Sequence, residues 1–466
     1  MSFYNKMDQF GEKIAILQDN GESISYGEIV HSLDLFIKKI KTRKALVFIF
    51  CTNSKESIIG YLSCLRSGHV PLLLDSSINQ NLANQLIDTY RPNYIWAPNS
   101  YYDTMTEINF GRYSLWHLSE VQHHIYSELA LLLTTSGSTG SPKLVRLSYQ
   151  NLEVNARSIV EYLELNETER PITTLPMNYT YGLSIINSHL EVGATLLLTN
   201  HTVMQKEFWS FFKEKGATSF GGVPYTFEML KKLRFFRMHL PTLRTITQAG
   251  GKLNRELTKE YAEYCVSKGI RFLVMYGQTE ATARMAYLPH QYALEKCGSM
   301  GIPIPGGKFN LIDLDGQKIT EPYVTGELVY EGDNVSLGYA LKLDDLALGD
   351  ENNGRLITGD MAKRDIDGFY YIVGRKKRFL KIFGSRVNLD EVEQIIRNRG
   401  YECACTGTDD HLVVALTEPQ AVKAVQEFLP AVLGFHKSAI RVVYLSEIPK
   451  NESGKISYTQ LSEELI

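Results

Sequence analysis

The chain has 466 residues, 44% hydrophobic and 22% charged, a usage that supports an ordinary globular core without disulfide or metal staples. Forty-nine Lys and Arg against 52 Asp and Glu leave a formal net charge of -3, which argues against a dedicated nucleic-acid binder and against a charged tail. No apolar run approaches the roughly 18 residues of a membrane span, and the start, MSFYNKMDQFGEKIAIL, lacks the basic-then-apolar order of a secretory signal.

In chain order, ALVFIF (45–50) reads as a buried strand, KESIIGYLSCLRSG (55–68) as a helix stopped at Gly68, and VPLLLD (70–75) as a second strand. Strand, helix and strand in close order make a βαβ unit, hence a parallel sheet with a right-handed crossover. GATLLLTN (193–200), KEFWSFFKEKG (206–216) and ATSFGGVP (217–224) repeat that order. The class expected is α/β: a large N-terminal domain of mixed or parallel sheets flanked by helices. From about Cys297 the texture changes. GKFNLIDLDGQ, GELVYEGDN and GFYYIVGRKK are short alternating runs bounded by turns, which predict antiparallel hairpins and a small barrel-like β region. LDEVEQIIRNRG then reads as an amphipathic helix, with strands in DDHLVVALTEPQ and AIRVVYLSEIP, so the tail is a small α+β unit. The boundary is placed after Arg375, giving domains of residues 1–375 and 376–466. Of the six cysteines only Cys403 and Cys405 are close; a lone C-x-C is a poor zinc signature, and free thiols fit a reducing cytoplasm.

The most informative segment is LLLTTSGSTGSPKLVRLSY (131–149). Thr135, Ser136, Gly137, Ser138, Thr139 and Gly140 follow a buried strand, and Lys143 comes three residues later. Glycines let backbone N–H groups turn toward an anion, hydroxyls add donors and the lysine adds charge, so the segment reads as a phosphate cradle. It is not the P-loop of NTPases, because Lys143 is followed by Leu144 and the glycine spacing is absent.

This segment resembles the phosphate loop of the acyl-adenylate-forming (AMP-binding) enzymes: acyl- and aryl-CoA synthetases, peptide-synthetase adenylation domains and beetle luciferases. YGQTE (276–280), TGD (358–360), GRKKRFLKIFGSRV (374–387) and PKNESGKI (449–456) resemble four further motifs of that superfamily, in its order. The resemblance implies activation of a carboxylic acid by ATP and Mg²⁺ to acyl-AMP, with release of pyrophosphate, then transfer to a thiol. CoA is the first choice of acceptor. The phosphopantetheine of an acyl carrier protein is the alternative, and a non-catalytic nucleotide-binding protein a remote one. Thr135 to Lys143 would hold the β- and γ-phosphates. Gly250, Gly251 and Lys252 would lie along the adenine, and Tyr276, with Gly277 and Gln278 beside it, would stack on the base. Thr279 would donate to the α-phosphate, Glu280 would hold Mg²⁺, and Asp360 and Arg375 would hold the ribose. Lys455 would bridge the substrate carboxylate and the α-phosphate as a catalytic cation.

The same resemblance makes the small domain mobile about a hinge at Lys377, with the loop Gly384 to Arg386 replacing Lys455 for the thiol step. The basic run Lys376, Lys377, Arg378 and Lys381 is open to two readings: a solvated face, or a contact for CoA or a carrier protein. In PMNYTYGLSII (176–186), Tyr179 stands where the family often has histidine, and Thr180 where amino-acid-activating members place aspartate; an amino-acid substrate is therefore disfavoured. Tyr179, Tyr181, Gly182, Gly221, Gly222, Tyr225, Ala283 and Arg284 would line the acyl site, with Gly182, Gly221 and Gly222 leaving room for a chain or ring. Arg284 would either read a polar substituent or pair with another residue of the protein.

Overall fold

The computed structural model describes residues 2–102, 108–134, 143–313, 315–383, 385–450 and 456–466. They fall into two compact units: Met1–Phe309 with Tyr330–Leu356, and Asn310–Val329 with Ile357–Ile466.

The first unit is built on two large sheets. One has eight strands in the order Gly338–Ala340, Leu144–Ser148, Leu129–Thr134, Val70–Asp75, Leu46–Cys51, Tyr94–Pro98, Tyr113–His117 and Ile108–Phe110. Its centre is parallel and its flanks antiparallel. Leu46–Cys51 is buried at every position, and its side chains alternate: Val47 and Ile49 enter one apolar cluster, Leu46, Phe48 and Phe50 another. That double burial is why the segment is a continuous apolar run. The expected helix Lys55–Ser67 forms and ends on Gly68, at φ 79, the left-handed position that a residue without Cβ accepts freely.

The other sheet has nine strands. Its parallel core runs Arg271–Tyr276, Thr245–Gln248, Ser219–Gly222, Pro171–Ile172, Leu196–Leu198, Ile14–Gln18. Helices Tyr26–Ile37, Lys55–Ser67, Tyr149–Leu163 and Thr180–Glu191 bridge the two sheets. One cluster joins Val47 and Leu131 of the first sheet, Tyr26, Ile58, Leu152 and Leu183 of the helices, and Ile16 and Leu198 of the second. The α/β class and both βαβ units are as expected.

The second unit holds most of a five-stranded sheet ordered Lys318–Ile319, Lys308–Ile312, Gly326–Glu331, Arg355–Arg364, Tyr370–Arg375. A hairpin, Phe379–Ile382 with Ser385–Asn388, follows. A three-stranded sheet, Cys403–Thr408, His411–Leu416 and Ile440–Tyr444, then packs on helices Leu389–Arg397 and Ala421–Leu433. All six cysteines are free and buried. Burial pushes Cys265 and Cys403 up to about 12 and raises the other four thiols as well. Among the described residues no helix is long and apolar enough to cross a membrane.

Candidate active site

Three neighbouring parallel strands release candidate segments at one end of the nine-stranded sheet. Gly222, Gln248 and Val274 are register partners, so the turns that follow start side by side at the C-terminal strand ends, where open α/β sheets bind ligands. After Gln248 the chain turns through Gly250, at φ +80, where a Cβ would lie 2.5 Å from the Tyr179 hydroxyl. Gln248 Nε2 donates to the Gly251 carbonyl at 2.9 Å, closing the turn ahead of Lys252.

After Tyr276 the path is tighter. A Cβ on Gly277 would lie 1.7 Å from the Ala283 carbonyl oxygen, so glycine is required. Gln278 Nε2 donates to the Tyr276 hydroxyl at 3.1 Å. Thr279–Ala281 makes one 3₁₀ turn, and Thr282 then adopts φ 66, ψ -58. With Ala283 N–H donating to Ala281 O at 2.7 Å, this is a γ-turn of the strained, positive-φ kind. A neighbouring segment holds it in place. Thr282 Oγ1 donates to Asn334 O at 2.7 Å, and Asn334 Nδ2 donates to Ala281 O and Arg284 O at 2.9 and 3.0 Å. Ser336 N–H donates to Glu280 O at 2.9 Å.

Thr134 lies opposite Leu144, so the Gly/Ser/Thr run leaves and re-enters the eight-stranded sheet on adjacent strands. Thr135, Ser136, Gly137, Ser138, Thr139 and Gly140 themselves lie outside the described residues. Lys143 is described: its Nζ sits 3.3 Å from the centre of the Tyr339 ring, a cation–π contact. The Tyr339 hydroxyl donates to Glu280 Oε1 at 2.8 Å. Burial, then the Glu280 charge, raises that hydroxyl's pKa, so it stays a donor. One tyrosine thus touches both the cation expected for phosphate and the carboxylate expected for Mg²⁺. Sequence reasoning missed it, since a tyrosine in SLGYA carries no signal of its own. The Glu280 carboxylate offers the hard oxygen donors that suit Mg²⁺. Among the described residues no group of three His, Cys, Asp or Glu could hold a metal.

On the acyl side, the Tyr181 hydroxyl donates to Thr247 Oγ1 at 2.7 Å, and its ring lies 4.6 Å from the Arg284 guanidinium carbon. Tyr179 meets Tyr181 edge-on. The room expected at three glycines is taken. A Cβ on Gly182 would meet the Pro176 carbonyl, one on Gly221 the Tyr181 hydroxyl, and one on Gly222 Phe227 and Thr226. These glycines allow close packing rather than open a cavity. Tyr225 is 62% exposed, whereas Tyr181 is buried and Tyr179 half-buried. Arg284, only 2% exposed, pairs within the protein, but with neutral partners. Its Nε donates to Ser184 Oγ at 3.1 Å and its Nη1 to the Tyr162 hydroxyl at 3.0 Å, with Met275 Sδ beside Nη1.

In the second unit Asp360 and Arg375 are cross-strand neighbours, with Arg375 Nε donating to Asp360 Oδ1 at 2.8 Å. Asp360 N–H donates to Thr358 Oγ1 at 3.1 Å. Lys377 falls in a short 3₁₀ turn, Lys376–Arg378, between two strands. The basic run is no uniform solvated face. Arg378 is buried, donating to Asp390 Oδ1 at 2.9 Å and Glu393 Oε1 at 2.6 Å and lying over the Tyr458 ring, so it is unavailable to CoA or a carrier protein. Lys376 pairs with Glu327 at 2.7 Å. Lys455 and Gly384 lie outside the described residues.

A family model described as AMP-binding enzyme matches residues 3–340. The chain belongs to the AMP-binding enzyme family. A 2-succinylbenzoate–CoA ligase of Geobacillus sp. (strain WCH70) is 27% identical over 442 residues, covering 90% of this chain and 87% of the relative. An indoleacetate–CoA ligase of Aromatoleum aromaticum (strain DSM 19018 / LMG 30748 / EbN1) is 29% identical over 341 residues, covering 70% and 65%. Among solved structures, an O-succinylbenzoate coenzyme A synthetase from Bacillus subtilis, in complex with ATP and magnesium ion, has a TM-score of 0.80 at 21% identity, covering 99% of each chain. At that identity the likeness speaks for the fold.

Proposed function

We propose that this AMP-binding family member is an adenylate-forming acid–thiol ligase. A carboxylate oxygen of the acid attacks the α-phosphorus of ATP, pyrophosphate leaves, and acyl-AMP forms; a thiol then attacks the acyl carbon, releasing AMP and leaving a thioester. The observation that carries this reading is the joining of Lys143 to Glu280 through Tyr339, beside the strand ends that bear Gly250, Gly251 and Tyr276. A group suited to an anion and a group suited to a cation thereby lie close together, which supports stabilisation of charge at a reacting phosphate. Lys143, with Thr135 to Gly140, holds the β- and γ-phosphates. Gly250, Gly251, Lys252 and Tyr276 take the adenine, with Gly277 and Gln278 shaping the turn. Thr279 binds the α-phosphate. Glu280 holds Mg²⁺, which neutralises phosphate charge when bound. Asp360 accepts from the ribose hydroxyls with Arg375 beside it, and Tyr179 and Tyr181 border the acyl group. Lys455, carried on residues 376–466 and brought in by rotation about Lys377, neutralises charge at the reacting phosphorus.

CoA ligases among the relatives support CoA as the acceptor, and a carrier-protein phosphopantetheine, which presents the same thiol, is the second arm of the test. The free buried thiols support a reducing cytoplasm. Incubation with ATP, Mg²⁺ and a panel of carboxylic acids should release pyrophosphate and yield acyl-AMP by mass spectrometry; added CoA should convert it to acyl-CoA. Failure of every acid to release pyrophosphate would sink the reading.

A further inference from the structure

A buried cation stands behind Tyr339. Arg146, on the strand Leu144–Ser148, is 0% exposed. Its Nε donates to Tyr339 O at 3.0 Å. Its Nη2 donates to Leu337 O at 3.0 Å and to Glu351 Oε2 at 2.5 Å, and its Nη1 to Gly349 O at 3.1 Å and to Leu348 O. One bond from Nε and two from each Nη use the five N–H groups of a guanidinium. Leu337 N–H donates back to Arg146 O at 2.9 Å. The strand that receives this grip, Gly338–Ala340, is three residues long and lies at the edge of the eight-stranded sheet, with Gly338 opposite Arg146 and Tyr339 opposite Val145. So short an edge strand has few ladder bonds to fix it. Gly338, at φ +120, passes close over the ion pair: a Cβ there would lie 2.6 Å from Glu351 Oε2 and 3.0 Å from Arg146 Nη2.

A buried ion pair is weak evidence for stability, because desolvation offsets the attraction. What this one supplies is placement. The strand it grips carries the tyrosine whose ring meets Lys143 and whose hydroxyl meets Glu280, and Lys143 directly precedes the strand that bears Arg146. We propose that Arg146 is a positioning residue for ATP with its Mg²⁺: it fixes Gly338–Ala340 so that Tyr339 sets the spacing between Lys143 and Glu280. The inference rests on the adenylation reading. A lysine in its place keeps the charge, but a point donor cannot hold carbonyls on both sides as the planar fork does.

The test is calorimetric titration of ATP into the full chain, with Mg²⁺ and with EDTA, so that the acid need not be known. It compares wild type, Arg146→Lys, Tyr339→Leu and the double variant. Arg146→Lys should weaken binding at least about threefold with Mg²⁺, and less with EDTA, where Glu280 has no cation to hold. In the Tyr339→Leu background the same substitution should have little further effect, because the side chain through which it acts is gone. An equal factor in both backgrounds would overturn the inference, as would unchanged binding in a folded Arg146→Lys. Should thermal melts show that Arg146→Lys does not fold, Glu351→Ala removes only the half-exposed partner and repeats the comparison. Weaker binding with Mg²⁺ that depends on Tyr339 would support the inference, and any other result would overturn it. Failure of the wild-type protein to bind ATP in either condition would remove the adenylation reading, and this inference with it.

Discussion

Tyr339 is the residue on which two distant parts of the chain meet. Removing only its hydroxyl, in Tyr339→Phe, keeps the ring beside Lys143 but frees Glu280 from its donor. The expected result is a several-fold fall in pyrophosphate release with a raised requirement for Mg²⁺; Tyr339→Leu, which also loses the cation–π contact, should fall further. Titration of release against Mg²⁺ separates the two, and an unchanged Mg²⁺ dependence in Tyr339→Phe would remove the tyrosine's positioning role. Two buried histidines should weaken the fold in acid. His69, whose Nδ1 accepts from Ala45 N–H at 3.1 Å, and His189 are both pushed down from 6.5 to about 4, chiefly by burial. Between those values the unfolded chain binds protons that the native state refuses, so stability present above about pH 6.5 is lost as pH falls toward 4, on the order of 3 kcal/mol for each group. Denaturant melts across that range should show the decline, and His69→Gln should flatten it.

Two elements decide how the segments are presented. The turn from Tyr276 to Arg284 passes Gly277 with no space for a side chain, then Thr282 in strained geometry, and Asn334 ties it down. Gly277→Ala should lower the melting temperature and abolish pyrophosphate release together; a stable variant with normal release would show that the turn can shift. In the second unit, Arg378 anchors the hairpin to helix Leu389–Arg397 through Asp390 and Glu393. Arg378→Met leaves Glu393 with less compensation and should destabilise that unit by about 3 kcal/mol or more, read as earlier proteolysis of its segments. The helices and parallel strands were legible because burial on one or both faces writes itself into apolar periodicity. The phosphate, YGQTE and TGD motifs were legible as strings. Tyr339 and Asn334 were not, because their contacts arise from register between strands or turns far apart in sequence. Gly182 and Gly222 misled for the same reason: a glycine signals close approach without saying by what.

At the scale of the whole molecule, the proposed reaction needs one lysine in the first step and its absence in the second. Lys455→Ala should abolish acyl-AMP formation, while thioester formation from synthetic acyl-AMP survives; equal loss of both halves would argue against a step-specific role. Lys377→Pro, at the proposed hinge, should harm thioester formation more than adenylation. Because every native thiol is buried and held protonated, maleimide or disulfide reagents should leave the folded wild-type enzyme untouched and modify all six sulfurs only in denaturant. The protein therefore comes with a silent background for site-directed labelling. A cysteine introduced at exposed Val266 and another at exposed Val432, one on each unit, would carry a spectroscopic pair whose separation, followed from ATP to acyl-AMP to thiol, should change if the proposed rotation occurs and stay constant if it does not.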